Sequence, residues 1–164
     1  MMTLTMKNRL TLPLLFAAAM ALSACTKKDQ VAADLLSLNA AGKAATQNID
    51  LQNSMGRVQS AKSNEEKAAI LRESAAGLTK IQSTLQKIDI KSPEVKDIQA
   101  RLTGAFGKVS GAAGAAAAAF EKSDTAALDQ AGKVMQESQR EIASVGNDVV
   151  RLAKEHKVDL NKQP

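Results

Sequence analysis

Chemistry-bearing side chains are scarce in this sequence, and the first to consider is its thiol. Cys25 is the only cysteine in 164 residues, so no internal disulfide is open to it. His156 is the only histidine. With no second His, no Cys pair and no Glu-x-x-His spacing, it supplies neither a zinc site nor a carboxylate-bridged di-iron centre. Its place near the end of a helical stretch suits a cation favoured by the helix dipole. The adjacent Glu65 and Glu66, and Asp148 after Gly146 and Asn147, read as solvated helix-surface charges rather than general acids or bases. No Gly-rich phosphate loop and no Ser, His and Asp set accompany them. The expectation is a protein that is not an enzyme and that holds no metal.

The context of Cys25 gives it a different chemistry. Lys7 and Arg9 precede an apolar stretch from Leu10 to Leu22, the layout of a secretory signal peptide. Interrupted by Thr11 and Pro13, that stretch is shorter than the ~20 residues a membrane-spanning helix needs. Leu22, Ser23, Ala24 and Cys25 follow, and they resemble the lipobox of bacterial lipoproteins. The resemblance implies diacylglycerol transfer to the Cys25 sulfur, cleavage between Ala24 and Cys25, and acylation of the new amino terminus, with palmitate among the expected chains. This covalent lipid is the only prosthetic group expected. The residue after the cysteine is Thr26 rather than the Asp that retains enterobacterial lipoproteins at the inner membrane, so the expected residence is the outer membrane, on its periplasmic face.

The leader holds two of the chain's 22 basic residues, which leaves 20 against 17 acids and a net charge of +3. Charges of both signs are interspersed, and aromatics beyond the leader amount to Phe106 and Phe120, so nucleic acid is not an expected partner. Alanine fills 25 of the 140 positions from Cys25 onward, a composition that favours helices over sheets. The expected layout is a signal peptide over 1–24, a lipidated tether over 25–30, a helical domain over 31–160 and a tail over 161–164.

Four helices are expected in that domain. Val31, Leu35, Leu38, Gly42, Ala45, Ile49 and Gly56 share one face of a first helix ending near Ser60, with Gly42 and Asn48 as places where it could bend. Ser63 and Glu66 form a capping-box pattern, opening a second helix whose face is Ile70, Leu71, Leu78, Ile81, Leu85 and Ile88. Ser92, Pro93 and Glu94 set a cap, a proline and an acid at the start of a third. Its stripe is Val95, Ile98, Leu102, Phe106, Val109, Ala113 and Phe120. Ser123 or Asp124 caps a fourth, with Leu128, Ala131, Met135, Ile142, Val145, Val149, Leu152 and Leu160 along its face. Short connections make successive helices antiparallel, so the fold expected is an all-α, up-down-up-down four-helix bundle. A three-helix bundle with a detached first helix is the alternative.

Lys91 to Ile98 resembles the third-helix start of the periplasmic four-helix cytochromes b. That family implies a bundle with a haem held by a methionine early in the first helix and a histidine late in the fourth. Here the first helix offers only Met55, the histidine position falls on Gln139 or Ala143, and His156 lies at the other end. The haem ligands do not carry over. Gly104, Gly107, Gly111 and Gly114, continuing to Ala118, make a small-residue stripe off the large apolar face of the third helix. Each interior Gly costs roughly 1 kcal/mol relative to Ala, so close approach of another helix is expected there, within the bundle by preference and otherwise from a partner. A C-terminal lysine for cross-linking to murein is lacking, since the last residues are Asn161, Lys162, Gln163 and Pro164. The function expected is that of an interaction or assembly-accessory lipoprotein, binding an envelope protein or its own copies. By fold-level analogy it would act as secretion pilotins do. The alternative is a carrier of a hydrophobic or tetrapyrrole ligand within the bundle.

Overall fold

Side-chain chemistry sets the helix starts. Ser63 Oγ accepts from the Glu66 amide at 3.1 Å, while the Glu66 carboxylate accepts from the Lys62 amide at 2.8 Å, so the capping box forms with its return bond one residue early. Asp124, not Ser123, caps the last helix by accepting from the Ala127 amide at 3.0 Å. Ser123 instead takes the left-handed conformation that ends the preceding helix (φ 52°).

The computed structural model describes the backbone of residues 12–47 and 51–161, and the side chains of 30–47 and 53–161. Five helices follow in order: α1 Leu12–Gln47, α2 Leu51–Ser60, α3 Asn64–Gln86, α4 Pro93–Lys122 and α5 Thr125–Glu155. No strand occurs among the described residues. A simple four-helix bundle is therefore not what forms, because the expected first helix is divided into α1 and α2. The division falls where Thr46, Asn48 and Asp50 cluster, residues whose short polar side chains compete with helical backbone hydrogen bonds. Ile49, expected on the inward face, lies outside the described residues. The α1 helix also starts earlier than expected, running from the leader through residues 25–30.

The α4 helix occupies the middle of a three-helix layer, with α3 and α5 on either side and out of contact with each other. Ion pairs between Arg72 and Glu121, Lys108 and Glu141, and Arg101 and Asp148 show the three running in alternating directions. Small residues make the layer tight: Ala105, Ala112, Ala116, Ala117 and Ala119 of α4 are all buried. The large members of the expected α4 stripe, Leu102, Phe106 and Val109, are only half-buried. They face the groove above the layer, where α1 lies against α3, α4 and α5, whereas α2 rests on α3 alone.

Val31, Leu35 and Leu38 of α1 join Ile81, Leu85, Val95, Ile98, Val145 and Leu152 in the main core. Each fully buried aliphatic side chain contributes about 1.5–3 kcal/mol, so α1 is firmly seated. The α5 helix ends at Glu155, short of the expected Leu160. Left-handed Lys157 (φ 56°) and a Val158 amide bond to the Ala153 carbonyl at 2.8 Å turn the chain back. Val158 and Leu160 still pack against the core.

A buried carboxylate ties α1 to the start of α4. Asp34, 3% exposed, accepts from the Lys91 amide at 2.9 Å, the Ser92 amide at 2.7 Å, the Ser92 hydroxyl at 2.8 Å and Gln30 Nε2 at 2.8 Å. Ser92, expected to cap α4 with its own side chain, makes no such bond and gives its hydroxyl to Asp34 instead. Burial alone would raise the Asp34 pKa, but the hydrogen bonds from Ser92, Lys91 and Gln30 outweigh it and hold the carboxyl below the usual carboxylate range.

Candidate functional site

Because α2 leans on α3 alone, the groove over α4 is incompletely filled. Two cavities of about 240 Å³ each remain in it. The first lies under α1, between Leu35, Leu38 and Gly42 on one side and Ile81, Leu85, Leu102, Phe106 and Val149 on the other, with Asn39, Lys43 and Thr46 also lining it. The second lies under α2, lined by Met55, Val58, Leu71, Leu78, Val109, Ala113, Met135 and Ile142, with Ser54, Ser74 and Gln139. Phe106 lines both. Together they form an apolar slot along α4, interrupted by one aromatic ring and roofed by the two arm helices.

The roof differs along its length. The α1 part is pinned by the Asp34 bonds and by Asn39 and Lys43, which both donate to the Leu160 carbonyl, at 2.7 and 2.8 Å. The α2 part is held by an exposed Arg57–Glu73 ion pair at 3.0 Å, an interaction worth little in water. Met55 stays 56% exposed although it borders the second cavity. Across the lining of both cavities Lys43 is the only charged residue. The slot therefore suits apolar matter.

A third cavity, of about 350 Å³, is polar and lies between the start of α4 and the end of α5. Arg101 reaches Asp148 at 2.7 Å and Asp97 at 3.5 Å, and Arg151 reaches Asp148 at 3.3 Å and Glu155 at 3.1 Å. Hydrogen bonds from Arg101 and then Arg151 hold the Asp148 carboxyl below the usual range. Asp148 thus serves as a clamp between α4 and α5, and Glu66 as a cap. His156 follows α5 as its C-cap, its amide bonded to the Leu152 carbonyl at 3.0 Å. Among the described residues no three His, Cys, Asp or Glu side chains gather as metal ligands. Met55 and His156 line different cavities, and Gln139 lies beside the former.

The glycine stripe does not mark the close approach expected of it. Gly104 and Gly111 are exposed, and a Cβ added at Gly104, Gly111 or Gly114 would meet nothing within 4 Å. Only Gly107 has a neighbour, the flexible Gln82 side chain, whose Nε2 would stand 2.7 Å from an added Cβ. Ala118 is half-buried. The stripe lies on the outward side of α4 because the alanines, not the glycines, take the helix contacts. Gly111→Ala is accordingly expected to stabilise the protein by about 0.5–1 kcal/mol, read as a raised melting temperature. A fall would show that something packs there.

Cys25 and Ala24 lie within α1, and their side chains are outside the described ones. No helix among the described residues is long and apolar enough to cross a membrane. The reading of the sequence missed both the slot and Asp34, although a signal existed for each. Asp34 interrupts the apolar face between Val31 and Leu38, and large Leu102, Phe106 and Val109 oppose an arm that carries Gly42, Ala45 and Gly56.

The model of a protein family described as uncharacterised lipoprotein PM1805 matches residues 32–156. No curated protein and no solved structure matches the chain.

Proposed function

The chain belongs to this lipoprotein family, and from that premise we propose that it is a non-enzymatic binding protein of the bacterial envelope, lipid-anchored through Cys25, which takes an apolar ligand into the slot over α4. The observation that carries this reading is the pair of apolar cavities meeting at Phe106 under a roof whose α2 half is weakly held. Pockets that bind small molecules are mostly apolar, lined by a few polar groups and a few hundred Å³ in volume, and the two cavities taken together reach that size. Residence on the periplasmic face of the outer membrane is part of the proposal and rests on Thr26 following the cysteine.

Native mass spectrometry of the protein isolated from its own host tests the reading. The expected spectrum shows a small molecule bound in stoichiometric amount, lost when the second cavity is filled by Ile142→Trp. A co-purifying protein with no small molecule would overturn it in favour of an adaptor that docks an envelope partner.

A further inference from the structure

Resting on the preceding reading of the slot, we propose that its ligand is a single-chain anionic amphiphile whose alkyl chain lies past Phe106 and whose head group pairs with Lys43. Three features select this class. The first is width. A helix is about 10 Å across or more with its side chains and cannot enter while α1 and α2 keep their places, whereas an extended alkyl chain can thread a slot divided by a single ring. The second is the second cavity, which has no charged residue in its lining and so accepts the methyl end of a chain without burying an unpaired charge.

The third is Lys43, the only charge along the slot. Among the described residues no carboxylate lies within 4 Å of its Nζ. Its hydrogen-bond partner is a neutral group, the Leu160 carbonyl at 2.8 Å. Asn39 donates to the same oxygen at 2.7 Å, so that carbonyl stays satisfied when Lys43 turns toward an anion. The exchange replaces an ion–dipole bond by a charge-assisted pair. A carboxylate and a phosphate head share this chemistry, and the two are separated by experiment.

The test uses the lipidated protein in phosphatidylcholine nanodiscs and a hexadecanoic acid probe carrying a photoreactive diazirine at its methyl end. Saturable labelling is expected on residues of the second cavity, such as Met135 or Leu71. Unlabelled hexadecanoate should compete better than hexadecanol by roughly tenfold, the scale of one charge-assisted hydrogen bond. Lys43→Met should remove that advantage without changing hexadecanol, and Lys43→Arg should restore it. Lys43 is exposed, so these variants keep the fold. Stronger competition by lysophosphatidylglycerol than by hexadecanoate also supports the proposal and identifies a phosphate head. Equal competition by acid and alcohol, or a better competitor with two chains, overturns the proposal while leaving the slot as a binding site. Absence of saturable labelling by any chain overturns the slot reading as well.

Discussion

Cys25→Ser protein is expected to disappear from the lipidated membrane pool and to accumulate as uncleaved or soluble precursor, the largest single-residue effect foreseen for this chain. Transfer of acyl chains into a bilayer is worth about 0.8 kcal/mol per buried methylene, so one chain binds marginally whereas several together hold a protein stably. No helix among the described residues can take over, none being long and apolar enough to cross a membrane. Nor does a strong basic patch suggest itself, with 20 cations interspersed among 17 acids outside the leader. Flotation of cell membranes on a density gradient gives the measurement. If the serine variant still floats in the same proportion as wild type, Cys25 does not carry the anchor.

What the sequence made readable follows from how local each signal is. Ser63, Pro93 and Asp124 act within a turn of the backbone they organise, so the starts of α3, α4 and α5 were visible before any tertiary contact. The 3.6-residue period likewise exposed the apolar faces that carry Leu35, Ile81, Val95 and Val145 into the core. Which residues of α4 touch a neighbour was not visible, because period alone does not say how many neighbours a helix has. A helix held between two others buries its small residues at both contacts, and this is why Ala112 and Ala116 are buried while Phe106 and Val109 face a groove. The slot was hidden for the same reason, being the gap left when a divided arm covers a layer of three unbroken helices. The Asp34 contact spans 58 residues of sequence, and no local rule joins such positions.

That contact carries the second large effect. Asp34→Ala is expected to destabilise the fold by about 2–4 kcal/mol, because it strips the acceptor from the Lys91 and Ser92 amides and the Ser92 hydroxyl at a site largely closed to water. Asp34→Asn keeps one acceptor oxygen in nearly the same shape and should cost less than the alanine change. The pH dependence has a definite sign. The folded carboxyl is held below its ordinary value of 3.8, so the ionised group stabilises the protein fully above that value. The contribution declines as the pH falls below it and is gone once the pH drops beneath the folded pKa. The gap between the melting temperatures of wild type and Asp34→Asn should therefore be constant near neutrality and narrow in acid. A gap that keeps its full width well below pH 3.8 would show that the charge of Asp34 is not what stabilises the contact. The contact also joins the arm to the layer beneath it, so its loss should appear first in α1. Amide exchange in residues 31–47 is expected to accelerate before α3, α4 and α5 open, since the layer keeps its own alanine-mediated packing. Uniform acceleration through all the helices would instead make α1 part of one cooperative unit with that layer, and the roof over the first cavity a fixed wall.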